Sequence, residues 1–185
     1  MAITKLIFDI GDYVVYPKHG VGSIACVENK VFGGENLELY VVKFEKEKMT
    51  LRVPTNKAES AGMRKLSGDA KMKEAFTTLK GKAKIKRTMW SRRAQEYEVK
   101  INSGDLVLIA EVVRDLHRTD DQPEQSYSER QIYESALSRL AREVAAVETL
   151  EEGEAIIKLQ DAMYKEPPKS EIEEGSEEGA KEAAT

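Results

Sequence analysis

Apolar residues follow two different periods in the two parts of this chain. Between Phe8 and Leu66 they fall in short runs, DYVVYP, GSIACVEN, LELYVVKF and MTLRVP, each rich in Val, Ile, Leu or Tyr, which read as strands. The breaks between them are Pro17, Lys18, His19 and Gly20, then Gly33 and Gly34, then the charged EKEK, all of which supply turn chemistry. Runs joined by such short turns pair antiparallel, so four or five short strands are expected in a small, strongly bent sheet of the SH3-like or Tudor-like kind. In MTLRVP the alternation puts Met49, Leu51 and Val53 on one face and Thr50 and Arg52 on the other, which turns Arg52 to solvent.

Between Gly62 and Gly68 the period changes. Met72, Ala75, Phe76 and Leu79 recur at helical spacing, and so do Trp90, Ala94, Tyr97 and Ile101. Leu106, Ile109, Ala110, Val113 and Leu116 form a third helical face after Ser103, which is placed to cap it. Ser126 with Glu129 spells a capping box before Ile132, Ala136, Leu137, Leu140, Val144 and Val147. Thr149 with Glu152 spells another before Ile156, Leu159 and Met163. The expected fold class is therefore α+β. A small N-terminal SH3-like/Tudor-like antiparallel β domain over residues 1–66 precedes an all-α helical bundle domain over 67–165, with no internal repeat.

Composition narrows the function classes. Hydrophobic residues make up 41% of the chain, enough for a core, yet no run approaches the roughly 20 apolar residues of a membrane helix. The start MAITKLIFDI lacks a secretory signal, so the expected location is the cytoplasm, with no membrane partner. The single Cys26 cannot form an internal disulfide and reads as a small buried hydrophobe in a strand. With only His19 and His117 beside it, no zinc spacing exists, and no metal or cofactor is expected. The net charge of −4 conceals an uneven distribution. Residues 166–185 carry seven acids against Lys169 and Lys181, a net of −5 that leaves +1 on residues 1–165. That acidic stretch, poor in aromatics and rich in Glu, Gly, Ala and Pro, is expected to be disordered.

The strongest local signal is KGKAKIKRTMWSRR. Lys80, Lys82, Lys84, Lys86, Arg87, Arg92 and Arg93 stand there without an acid among them, a composition that attracts a phosphate backbone and makes binding salt-dependent. A solvated charge run is the plainer reading. Trp90, the one tryptophan, begins the predicted helix beside those arginines. It either anchors the helix to the bundle or presents a ring for stacking on a base or wedging into a minor groove.

Three ordered motifs, IGDYVVYPKHGVG, MTLRVPTNKAESAGMRKL and WSRR followed by IAEVVRDLHR, resemble the CarD/CdnL family of bacterial transcription regulators from about Phe8 to Met163. The acidic stretch lies outside the likeness. The resemblance implies a Tudor-like domain that docks on the RNA polymerase β subunit, similar to the polymerase-interacting module of transcription-repair coupling factors, and a helical domain on promoter DNA. It implies that Trp90 wedges into the minor groove at the upstream edge of the melted promoter, that neighbouring basic residues hold the backbone, and that the open complex lives longer. Carried over by position, Lys30 and Arg52 match the polymerase-binding surface and Trp90 and Arg92 the DNA-contacting set. The local basic run adds Lys84, Lys86, Arg87 and Arg93 as DNA-binding candidates. Two positions depart from the family pattern: Lys30 stands where relatives can have arginine, and Gln95 where some carry a basic residue.

A regulator that acts as a monomer, bridging polymerase and promoter DNA with low sequence specificity, is thus the leading expectation. The alternative is a generic SH3-like or Tudor-like protein adaptor without direct DNA contact, favoured by the overall acidic charge. An enzyme is not expected. No Ser, Cys and His pattern forms a nucleophile site, and no GxxxxGK[ST] loop is present for a nucleotide.

Overall fold

A computed structural model describes residues 6–119 and 122–164. The acidic stretch 166–185 lies outside the described residues. Among the described residues the fold is α+β, an antiparallel five-stranded sheet followed by five helices. Strands β1 (Tyr13–Tyr16), β2 (Gly20–Phe32), β3 (Glu35–Phe44), β4 (Met49–Pro54) and β5 (Arg64–Lys65) run in the spatial order β4-β3-β2-β1-β5.

Two of these strands are longer than the short runs suggested. β2 and β3 form one extended hairpin, closed by Gly33 and Gly34 at φ +60° and +87°, where two left-handed residues in a row match the twist of the flanking strands. A register shift between Ile24 and Cys26 bends β2, so the long hairpin serves both β1 and β4. At Gly22 an added Cβ would lie 2.8 Å from Phe44 and Val42, which explains glycine there.

One sheet face holds Val14, Ile24, Tyr40, Val42, Phe44 and Val53 in a core of its own, with Phe8 set edge-on to Tyr40 at 5.7 Å. The opposite face meets α4 near the start of β2 and carries the exposed Arg52 on β4. Cys26 stands on this second face, only half-buried, a correction to the buried position expected of it. The bulge before it changes which face the following residues take.

Helices α1 (Asp69–Lys80), α2 (Trp90–Asn102), α3 (Leu106–Leu116), α4 (Tyr127–Glu148) and α5 (Glu152–Met163) build the second unit. α3 is its axis, buried nearly all round, with α1, α2 and α4 packed on it. The Ser126–Glu129 capping box is present. Two expected caps are corrected. The cap of α3 is Asp105, whose carboxylate accepts from the Val107 and Leu108 N–H groups, because Gly104 at φ +73° turns the chain between α2 and α3. Ser103 instead ends α2, its hydroxyl bonded to the Lys100 carbonyl. The second capping box is Glu151–Glu154, since Thr149 sits at φ 57° as the left-handed end of α4.

The sheet and the bundle are joined by polar contacts. Glu143 of α4 is buried, 2% exposed, and accepts both guanidinium nitrogens of Arg64 at 2.7 and 2.9 Å, with the Ser67 N–H at 3.0 Å and hydroxyl at 2.7 Å. Arg64 also donates to the Gly104 carbonyl. Pro17, from the turn between β1 and β2, fits against Gly104, where an added Cβ would stand 2.8 Å from its Cα. Arg139 donates to the carbonyls of Pro17, Lys18 and Ile101. Glu143 is the buried member of this pair and the Arg64 side chain is 29% exposed, so removing the carboxylate chiefly leaves the donors around it unsatisfied, at a cost of about 1 to 3 kcal/mol. Glu143→Ala is expected to lose that amount in urea unfolding, and a loss under about 1 kcal/mol would show that the pair does not hold the two units together.

Candidate functional site

The outer face of β2, β3 and β4 gathers two of the predicted residues. Cys26 lies opposite Val41, which lies opposite Arg52, and Glu28 lies opposite Leu39, which lies opposite Pro54. Arg52 therefore reaches across β3 to Glu28, Nε to Oε2 at 3.0 Å, and Lys30 approaches the same oxygen at 3.7 Å. The Arg52 guanidinium bonded to Glu28 holds that carboxyl below its ordinary pKa. Both cations are exposed, so the pairing contributes little to stability and yields readily to a competing anion. β4 is the edge of the sheet, with one row of backbone groups unpaired in the sheet. Past the end of β4 the hairpin continues to Val31 and Phe32, apolar, exposed, and next in sequence to Lys30.

The remaining predicted residues meet around the loop between α1 and α2, residues 81–89, which is exposed throughout. Lys84, Lys86 and Arg87 lie on this loop, and Trp90, Arg92 and Arg93 form the first turn of α2. The loop is pinned from beneath. The Lys84 N–H donates to Oδ1 of Asp115 at 2.9 Å, and Asp115 is itself buried and paired with the buried Arg114 at 2.7 Å. Asp115 thus turns the backbone of a cationic loop toward a fixed anchor on the central helix.

Acids from outside the run enter its surroundings. Lys86 pairs with Glu96 of α2 at 2.7 Å, and this bond holds the Glu96 carboxyl below its ordinary pKa. Among the described residues Lys82, Lys84, Arg87 and Arg92 make no side-chain ion pair.

Trp90 anchors α2 to the bundle and keeps part of its side chain accessible. It packs against the helical core, 6.4 Å from the Tyr97 ring, yet is only half-buried. The guanidinium of Arg93 lies over its ring at 5.5 Å, a cation held on an aromatic face. Arg93 Nε is buried there without a hydrogen-bond partner among the described residues. Arg93 therefore braces the ring as well as contributing charge. Gln95 is exposed one turn further along the helix.

Sequence reasoning missed Glu28, Glu96, Arg114 and Asp115. The first two are ordinary surface acids until the fold places them. Arg114 and Asp115 left a trace: an adjacent charged pair in a helix whose other residues, Glu111 apart, are all apolar. Among the described residues no group of three or more His, Cys, Asp or Glu is placed to hold a metal ion. No helix among them is long and apolar enough to cross a membrane.

Comparison with known proteins bears on both units. Residues 8–67 match the CarD-like/TRCF RID domain family, and residues 74–160 match the CarD C-terminal domain family. The chain belongs to the CarD/CdnL family. A Bacillus subtilis (strain 168) relative named "Putative transcription factor YdeB" is 30% identical over 145 residues, spanning 78% of this chain and 95% of that protein. The solution NMR structure of the 72-residue N-terminal domain of Myxococcus xanthus CarD is similar at 31% sequence identity, covering 31% of this chain and 77% of that one, with a TM-score of 0.28. As a CarD/CdnL chain, this protein is a transcription-associated regulator.

The Asp115 anchor has a measurable consequence. Asp115→Ala removes the acceptor of the Lys84 N–H and strands the buried Arg114, so hydrogen exchange at Lys84 is expected to speed up and stability to fall by about 3 to 5 kcal/mol. Unchanged exchange at Lys84 would show that the loop is held by other contacts.

Proposed function

We propose that this CarD/CdnL chain regulates transcription initiation by binding the RNA polymerase β subunit through its sheet domain and the upstream edge of the promoter bubble through the basic surface around Trp90, stabilising the open complex. The observation that carries the reading is the setting of Trp90: a half-buried ring braced by Arg93 at the start of α2, beside a pinned, exposed loop whose cations are largely unpaired. Phosphates attract Lys84, Lys86, Arg87, Arg92 and Arg93, while the exposed part of the ring meets an unstacked step in the minor groove. Promoter DNA is thereby held through backbone and groove shape, with little reading of sequence.

Lys30 and Arg52 are the proposed polymerase contacts. They share one easily displaced carboxylate, Lys30 directly precedes the exposed apolar Val31 and Phe32, and Arg52 lies on β4, the open edge of the sheet, which can pair with a strand of a partner. On this reading residues 1–66 are the polymerase-interacting domain and 67–165 the DNA-binding domain. The factor stabilises the open complex because it contacts melted promoter better than closed promoter, and the equilibrium shifts by that difference.

The deciding experiment measures open-complex lifetime on a weak promoter with purified polymerase. Trp90→Ala is expected to remove about 1 to 3 kcal/mol of stabilisation, roughly 5- to 150-fold in population. Arg52→Glu sets two acids facing each other where one ion pair stood, and it is expected to abolish both the lifetime effect and retention of the factor on the β subunit in a pull-down. Wild-type behaviour of both variants would leave the adaptor reading in place. Phosphate contact has its own signature: Arg92→Gln is expected to lower the slope of log affinity for duplex DNA against log salt by about 0.9. An affinity that ignores salt in the wild type would refute backbone binding.

A further inference from the structure

The cationic surface around Trp90 carries an apolar residue that neither the charge pattern nor the family likeness assigns. Met89 is the N-cap of α2, immediately before Trp90, and is 79% exposed. It belongs to neither core, whereas Trp90 does pack on the helical core. A single exposed hydrophobe is ordinary on a protein surface. Three features set this one apart.

The first is the position itself. An N-cap favours Ser, Thr, Asp or Asn, whose side chain accepts from the first free N–H groups of the helix. Met89 makes no such bond, and α2 has no acid in its first turn, where Arg92 and Arg93 oppose the helix dipole. Local helix stability therefore does not account for methionine at this site. The second is company: Ile85, on the same loop, is 41% exposed among the same cations, so the apolar surface here extends beyond one side chain. The third is what Trp90 cannot do. With the Arg93 guanidinium over its ring and Tyr97 beside it, Trp90 is not free to enter a base stack with both faces. The most exposed large apolar side chain at this surface is Met89, at 79% against 41% for Ile85.

We propose that Met89 is the leading side chain of the DNA wedge, with Trp90 as the rigid ring behind it, and that its ligand is an unstacked base step in the minor groove at the junction of duplex and melted strand. The inference rests on the DNA-contact reading given above and refines it. Apolar wedges inserted between base steps include methionine, and its unbranched, polarisable thioether adapts to an irregular gap. Arg92 and the loop cations flank the insertion point and can hold the phosphates on either side.

The test compares open-complex lifetime with thermal melting for the full chain carrying Met89→Ser, Met89→Leu or Trp90→Ala. Serine is a better N-cap, so Met89→Ser is expected to melt at the same temperature or higher while losing about tenfold of the lifetime effect. Met89→Leu, which keeps the apolar bulk, is expected to recover most of that loss. A structural role would move both readouts down together, and that result overturns the proposal. Wild-type lifetime for Met89→Ser with a clear loss for Trp90→Ala overturns the role of Met89 and leaves the DNA contact standing. Wild-type lifetime for both variants overturns the DNA-contact reading and this inference with it.

Discussion

The carboxylate of Glu143 is the constraint on which the arrangement of the whole molecule depends. A buried charge is tolerated only when its acceptor positions are filled, and here two guanidinium nitrogens of Arg64, the Ser67 hydroxyl and the Ser67 N–H fill them. The donors come from β5 and from the segment that leads out of the sheet, and the acceptor comes from the C-terminal third of α4. Apolar surfaces slide over one another at little cost, but this set of bonds has one solution. Pro17 between Gly62 and Gly104, and Arg139 on the carbonyls of the first turn, reinforce the same placement. Two binding surfaces on separate folding units can act as one bridge only if such a joint fixes the angle between them.

Most of the architecture was legible because it follows from period. The change from alternating to helical spacing near Gly62–Gly68 marks a physical difference, a pleated surface with two faces against a cylinder with one stripe. The Gly33–Gly34 turn and the Ser126 capping box were readable from local chemistry alone. The errors also lay in local chemistry, where two residues two positions apart competed for one role. Ser103 and Asp105 can each cap α3, and Thr149 and Glu151 can each open α5. The choice was made by the backbone, through positive φ at Gly104 and Thr149. Cys26 moved to the outer face because one extra residue in β2 reverses the alternation beyond it.

At the candidate surfaces the sequence revealed the cations and concealed their partners. A run of basic residues without an acid looks like free charge, yet the fold brings Glu96 to Lys86 and places Asp115 under Lys84. The two acids act differently. Glu96 is solvent-accessible and neutralises a charge that a phosphate can reclaim. Asp115 is buried, bonded to backbone and to Arg114, and fixes where the loop runs. Arg52 shows the same distinction from the other side, since its bond to Glu28 is exposed and weak enough to be exchanged for a partner's carboxylate or backbone carbonyl. Pairings of this kind depend on contacts far apart in sequence, which periodicity does not report.

The modest appearance of the DNA surface fits the proposed role. A ring half-committed to the core, one methionine and a handful of cations would make a weak DNA-binding protein if it had to find its site from solution. A factor already docked on polymerase meets the promoter at an effective concentration that reaches the millimolar range for a short tether, so a contact too weak to act alone becomes sufficient. Tight, sequence-reading DNA contacts would be a disadvantage in that setting. They would bind closed and melted promoter alike and shift nothing, whereas a small apolar wedge gains contact only where a base step opens. Under the proposed role the net negative charge of the chain does not argue against nucleic acid, because that role draws its affinity from the polymerase surface and asks of the basic loop only the difference between two states of the same DNA.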